Sequence, residues 1–174
     1  MLSKKDKQHR SVVLKYPEMS GIKLTTILPL LNGQIRAAVT ADEPIYSLVI
    51  CHSFARCADV AEFSESCLTF CDNAVEVINL ASGDTKEHLT TLKAEKEEEA
   101  KQAHSKVIVS TPSLALKLFQ HGALEASACF AVVMDKIELM DALDFTSECI
   151  QLSGIFDKHD PSMILTTSGE TNTD

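Results

Sequence analysis

Six short apolar runs that do not alternate with polar residues constrain this chain more than any other feature. They fall at residues 11–15, 47–51, 75–80, 106–110, 129–134 and 162–166. Successive side chains of a strand point to opposite faces, so a strand with one wet face alternates apolar and polar residues. A run rich in Val and Ile without that alternation suits a strand covered on both faces, the usual situation in a parallel sheet. Parallel neighbours also need long crossovers, and segments with helical periodicity lie between the runs. Residues 24–31 are predicted to form a helix that stops at the C-cap pair Asn32-Gly33. Residues 54–70 place Phe54, Cys57, Ala58, Ala61, Cys67 and Leu68 on an inner face. A helix over 113–120 begins after Pro112 and ends at His121-Gly122, and stretches over 135–143 and 146–156 complete the helical set. The predicted fold is α/β, a three-layer doubly wound parallel sheet that takes ligands at the carboxyl ends of its strands.

The 174 residues suffice for one domain with a real core, read as 11–174 behind a basic N-terminal tail at 1–10. Hydrophobic residues at 45% and charged residues at 24% match a soluble globular protein. No apolar run approaches the roughly 20 residues needed to span a bilayer. None follows the basic start as in a secretory signal. No membrane contact is expected, and a cytoplasmic location is. The net charge of −9 argues against broad, charge-driven nucleic-acid binding. Trp is absent and aromatics make up 5%, so base-stacking platforms are scarce. Cys51, Cys57, Cys67, Cys71, Cys129 and Cys149 form no Cys-x-x-Cys pair. Cys67 and Cys71 are four apart on a helical segment, but no His joins them at ligand spacing. Reduced thiols serving as small core residues, with no metal, are the expectation. The polar stretch 85–104 reads as a solvated helix with Glu97 and Lys101 in the favoured order, or, more sharply, as an acidic docking surface.

Motif-like segments follow the runs. Tyr16-Pro17-Glu18-Met19-Ser20-Gly21-Ile22-Lys23 comes after the first, and the next helical segment ends in Leu28-Pro29-Leu30-Leu31. His52-Ser53-Phe54-Ala55-Arg56 follows the second run and Thr111-Pro112-Ser113-Leu114 the fourth. Asp135-Lys136-Ile137-Glu138 follows the fifth, and the last closes on Thr166-Thr167-Ser168. In this order and at this spacing they resemble the first RecA-like domain of the DEAD-box RNA helicases. The first segment is similar to the phosphate-binding loop A-x-T-G-S-G-K-T, and the helix to the family's run ending in a proline and two apolar residues. The others resemble A-L-x-L-x-P-T-R-E-L, I-V-V-x-T-P-G-R-L, V-L-D-E-A-D and a strand ending in S-A-T. The similarity covers residues 11–168 and implies a RecA-like, P-loop NTPase-like domain.

The departures carry chemistry. A phosphate loop wraps backbone N–H groups and a Lys around phosphate, with a hydroxyl on Mg²⁺. Here Ile22 stands at the lysine position, Lys23 at the hydroxyl position, and Met19 replaces a glycine that lets the backbone turn. The resemblance leaves Ser20, Gly21, Lys23 and Asp135 as a vestigial nucleotide site. Lys136 replaces the glutamate that polarises the attacking water, which inverts the charge there, while Glu138 partly imitates the last carboxylate. By position alone, Asp135 simply caps the following helix. Phe54 replaces an arginine, and Ser113-Leu114 replaces a Gly-Arg pair that lies against the RNA backbone. Ser53, Arg56 and Thr111 remain as weak RNA contacts. No catalytic residue and no ATP or magnesium cofactor is expected. The implied function is a non-catalytic pseudohelicase domain, a protein-interaction scaffold in a ribonucleoprotein assembly, similar to the degenerate helicase-like domains of Tudor-domain proteins in germline small-RNA silencing. A divergent RNA-dependent ATPase, with Asp135 on Mg²⁺, Lys23 on phosphate and a second RecA-like domain supplied in trans, is the alternative. A nucleic-acid-binding module without hydrolysis is the third reading. The stretch before Ser11 leaves no room for the family's adenine-reading segment and no second RecA-like domain follows Asp174, so a piece of a larger protein is expected.

Overall fold

The computed structural model describes residues 11–17, 21–40, 45–69, 71, 75–82, 90, 92, 105–159 and 161–168. Strand β1 (Val12–Tyr16) leads to helix α1 (Ile22–Thr40), and β2 (Ile45–Cys51) to α2 (Phe54–Leu68). Strand β3 (Val75–Asn79) precedes β4 (Ser105–Ser110), α3 (Pro112–Gln120) and a 3₁₀ turn (Ala126–Ala128). Then come β5 (Cys129–Asp135), α4 (Ile137–Ala142), α5 (Thr146–Phe156) and β6 (Ser162–Ser168). Each of the six apolar runs becomes a strand of one sheet, ordered β1-β6-β5-β2-β4-β3 with every pair parallel.

The absence of alternation is explained at the centre of the sheet, where β2 and β4 are buried almost end to end. On one face Val49, Cys51, Val107, Val109, Ala131 and Val133 meet Ile27, Leu30 and Leu31 of α1 and Cys57, Val60 and Ala61 of α2. On the other, Leu48, Ile50, Ile108, Val132 and Met134 meet Leu116 and Leu118 of α3, Met140 of α4, and Leu152 and Phe156 of α5. Each fully buried Leu, Ile or Phe contributes about 1.5–3 kcal/mol. The rings of Phe119 and Phe156 add an edge-to-face contact at 5.3 Å. Helices α1 and α2 cover one face and α3, α4 and α5 the other. The helices that follow the neighbouring strands β2 and β5 therefore lie on opposite faces, which puts the switch point of the sheet at the carboxyl ends of these two strands.

Three local expectations are corrected. Strand β1 is not a buried strand but one of the two edge strands, with Val12 41% and Val13 62% exposed. An apolar run reports preference for a pleated surface, not which strand ends the sheet. Helix α1 does not stop at Asn32-Gly33 but runs on to Thr40, through Pro29. Gly33 lacks the left-handed backbone of a C-cap; among the described residues the positive-φ glycines are Gly21 and Gly122. Its role is proximity, since a Cβ at Gly33 would lie 3.2 Å from the Phe130 ring. That ring sits at an irregularity of β5, where Tyr46 and Ser47 face Cys129 and Ala131 and Phe130 is the extra residue. The next residue, Gln34, is fully buried. Its Nε2 donates to the Ile45 carbonyl at 3.2 Å and to Ser105 Oγ at 2.5 Å, and its Oε1 accepts from Ser47 Oγ. These bonds to β2 and β4 override the local stop signal.

Of the predicted inner face of α2, Cys57 and Ala61 are buried and Cys67 and Leu68 pack half-buried against the core, joined by Val60 and Ser64, while Phe54 and Ala58 lie outside. Cys51, Cys57 and Cys129 are buried and the other three cysteines half-buried, all as free thiols. Residues 1–10 lie outside the described residues, as does the stretch 85–104 apart from Thr90 and the buried Leu92. Among the described residues no helix is long and apolar enough to cross a membrane.

Candidate functional site

Parallel pairing brings the ends of four strands to one edge. Tyr16 of β1 is in register with Ser168 of β6, Met134 of β5 with Leu165 of β6, and Cys51 of β2 with Asp135. Asp135 therefore ends β5 between Thr166 on one side and the start of α2 on the other. It is 4% exposed, so its charge must be met by protein groups. Its Oδ2 accepts from Arg56 Nε at 2.6 Å and its Oδ1 from Thr166 Oγ1 at 3.2 Å. The Thr166 hydroxyl oxygen in turn accepts from the Lys136 backbone N–H at 2.9 Å.

The expectation that Asp135 caps α4 is overturned. The N-cap of α4 is Lys136, with φ 59° and ψ 66° and no side-chain cap bond. A non-glycine residue held left-handed costs about 1–2 kcal/mol. The bond from Lys136 N–H to Thr166 helps to fix it there. Glu138, in the first turn of α4, ties that helix to β6, because its Oε1 accepts from the Ser168 N–H at 2.8 Å and from the Ser168 hydroxyl. Burial pushes the Glu138 carboxyl up, but those bonds outweigh it and hold it below its ordinary value.

The basic side chains of the site are also engaged. Arg56 lies in the first turn of α2, whose N-terminus is capped by Ser53 Oγ accepting from the Arg56 N–H at 3.3 Å. Besides Asp135, Arg56 reaches Asp59 through Nη1 at 2.7 Å. Asp59 Oδ1 accepts from Lys23 Nζ at 2.6 Å, and that ammonium lies 5.5 Å from the centre of the Phe63 ring. A chain of alternating charge, Lys23–Asp59–Arg56–Asp135, thus joins α1, α2 and β5. Its bond to Lys23 holds the Asp59 carboxyl below the usual range. Burial pulls the Arg56 guanidinium down, but Asp135 and Asp59 more than compensate, and it stands above its ordinary value.

Three buried polar atoms of this region have no hydrogen-bond partner: Tyr16 Oη, His52 Nδ1 and Glu138 Oε2. Burial pushes the Tyr16 phenol up, tempered by the nearby Thr166 hydroxyl and reinforced by Asp135 and Glu138. Burial lowers the His52 imidazole, with Asp135 and Glu138 opposing and Lys136 and Arg56 adding to the effect.

Of the residues singled out from the sequence, Ser20 lies outside the described residues. Gly21, at φ 73°, opens α1, its carbonyl accepting from the Leu24 N–H at 2.9 Å. Lys23 and Asp135 belong to one network, though not in contact. Arg56 points at Asp135, Ser53 caps α2, and Thr111 is buried at the N-terminus of α3 without a side-chain cap bond. Ser113, at the glycine position of the resemblance, donates to Glu148 at 3.0 Å, beside Leu114 at the arginine position. Phe54 is 61% exposed. Sequence reasoning missed Asp59, which its i,i+3 spacing from Arg56 on a helix could have signalled. Nothing local signalled Tyr16, His52 or Glu148.

No protein-family model and no curated protein matches the chain. Solved structures match it in fold. A hypothetical ATP-dependent RNA helicase from Sulfolobus tokodaii superposes with a TM-score of 0.69 at 18% identity, over 93% of this chain and 42% of that one. The yeast DEAD-box splicing factor Prp28 gives 0.69 at 13% identity, over 97% and 38%. The RNA helicase Prp28 from Chaetomium thermophilum, bound to ADP, gives 0.68 at 20%, over 95% and 37%. The chain spans about two fifths of the length of these structures. It is an α/β domain with a six-stranded all-parallel sheet, RecA-like as in the N-terminal domains of DEAD-box helicases, at low sequence identity.

Proposed function

We propose that this DEAD-box-helicase-like RecA domain is non-catalytic and serves as a protein-interaction scaffold in RNA metabolism. The observation that carries the reading is the Arg56–Asp135 ion pair at 2.6 Å within the Lys23–Asp59–Arg56–Asp135 chain. A magnesium nucleotide, the ligand the fold family implies, does not fit these residues as arranged. Magnesium needs carboxylate oxygens or waters at short range, and both Asp135 oxygens already accept from protein donors. Phosphate needs a free cation, and Lys23 is held by Asp59. Lys136 puts a cation where a water-activating acid would be required. The proposed setting is a cytoplasmic ribonucleoprotein assembly with protein partners, by analogy with the degenerate helicase-like domains of Tudor-domain proteins in germline small-RNA silencing. RNA contact is weak in this reading, because Arg56 is committed to two carboxylates and Glu148 holds Ser113.

The test is calorimetric titration with ADP and with Mg-ATP, paired with melting curves. The expected result is no binding heat and no change in Tm at millimolar nucleotide. A rise of several degrees, the linkage signature of a ligand bound to the folded state, refutes the reading.

A further inference from the structure

We propose that the open edge of β1 pairs with the same strand of a second copy of this chain, joining two six-stranded sheets across a two-fold axis at Leu14. The proposal does not rest on the non-catalytic reading, and either can fail alone.

The two ends of the sheet are built differently. At the β3 end both faces are covered: Val75 and Val77 pack with the cluster under α1 and α2, and Ile78 with the cluster on the opposite face. Glu76 keeps a carboxylate there, its side chain 56% exposed, which guards that edge against another strand. At the β1 end, neither apolar cluster includes a residue of β1 among the described residues. Val12 and Val13 point to opposite faces and both are exposed, and Met163, Ile164 and Leu165 of the neighbouring β6 are only half-buried. Strand β1 thus has the composition of a covered strand in a place the chain leaves bare. The backbone groups of β1 that face away from β6 have no strand beside them among the described residues. Another strand satisfies such a row of N–H and C=O groups; a helix face or an apolar ligand does not.

The residues of β1 select the occupant. Antiparallel strands meet about a two-fold axis, so Val12-Val13-Leu14-Lys15-Tyr16 can pair with itself. With Leu14 on the axis the whole strand is paired: Tyr16 lies across from Val12 of the other copy, and Lys15 across from Val13. The first is an aromatic–β-branched pair, and the second lays the lysine stem over a valine while the ammonium stays in water. Shifting the axis to Val13 or Lys15 leaves fewer residues paired, and at Lys15 it sets two ammoniums against each other. Pro17, the next residue, has no N–H to give and ends the pairing. Because the β3 edge is guarded, the assembly closes at two copies instead of growing into a filament. A pairing of five residues buries less than the roughly 1,200 Å² of a standard interface, and the net charge of −9 on each copy opposes it, so the dimer is weak.

The experiment is sedimentation equilibrium of the full 174-residue chain at about 10 to 300 µM in about 0.15 M NaCl, beside Val13→Lys and Val13→Glu. The average mass of the wild type is expected to rise with concentration toward twice the 19.0 kDa of one chain. Val13→Lys sets an ammonium across from Lys15 and is expected to stay monomeric. Val13→Glu sets a carboxylate there and is expected to dimerise at least as well as the wild type. Val13 is exposed and outside both clusters, so each variant is expected to melt within about 2 °C of the wild type. Should either fail to fold, hydrogen exchange of the wild type is read instead. Backbone amides of β1 that gain protection from the lowest to the highest concentration support the pairing, and unchanged protection overturns it. A wild type that is monomeric throughout overturns the inference and leaves the edge to a strand of another protein. A dimer untouched by Val13→Lys also overturns it, because another surface then associates. Equal weakening by both variants does the same, because plain apolar contact then replaces the paired register.

Discussion

Replacing Gln34 with Leu isolates what holds α1 to the sheet beyond the point where local sequence would end it. Leu has nearly the same volume, so no cavity forms, but it offers neither donor nor acceptor. Ser47 and Ser105 are both buried and would each lose the partner that Gln34 provides. A buried hydroxyl left unpaired costs about 1–3 kcal/mol, so the pair costs about 2–6 kcal/mol. The apolar side chain returns about 1–2 kcal/mol through burial. The expected net loss is about 3 kcal/mol, which for a domain of this size lowers Tm by about 6–12 °C. The assay is urea or thermal unfolding of Gln34→Leu beside the triple variant Gln34→Leu/Ser47→Ala/Ser105→Ala. In the triple variant all three polar groups are gone, and stability is expected to return to within about 1 kcal/mol of the wild type. A single variant that loses less than about 1 kcal/mol, or a triple variant as unstable as the single one, refutes the claim that unpaired hydroxyls carry the cost.

Further outcomes follow from neighbouring features. His52 has a folded-state value lowered by burial, so the unfolded chain takes up a proton that the folded one refuses. Its contribution to stability is complete above its ordinary value near 6.5 and falls as pH drops below it, by at most about 1.4 kcal/mol per pH unit. His52→Gln is expected to flatten the stability profile between about pH 7 and 5.5, and an unchanged slope would count against the assignment. Asp59 and Glu138, both lowered, act later, losing their contributions as pH falls below their ordinary 3.8 and 4.5. Gly33→Ala gains about 0.8–1 kcal/mol of helix propensity but brings a methyl group against Phe130. That ring is 38% exposed and can tilt, so a net gain of about 0.5 kcal/mol is expected by denaturant unfolding. A loss greater than about 1 kcal/mol would mean that the ring is rigidly held.

The sheet was legible because its signal is local. Each non-alternating run, such as 106–110 or 129–134, announces a strand wet on neither face, and β4 and β5 fulfil it. Helix α3 was legible for the same reason, with Pro112 at its start and Gly122, at φ 67°, just past its end. The end of α1 was misread, because the Asn32-Gly33 signal is weaker than three hydrogen bonds from Gln34 to strands that only the assembled sheet puts within reach. On α2 the inner positions Cys57, Ala61, Cys67 and Leu68 were legible, but apolarity misplaced Phe54, which the start of the helix at the sheet edge leaves exposed.

By itself the sequence determined that the strands would be parallel, that the central ones would be covered on both faces, and which positions would sit at their carboxyl ends, since apolar periodicity and turn residues act over a few neighbours. That Arg56 pairs with Asp135 was decided only by the tertiary structure. Arg56 and Asp135 are 79 residues apart. They meet because the strand order sets β2 against β5, and because burial of Asp135 makes an unpaired charge there too costly to leave.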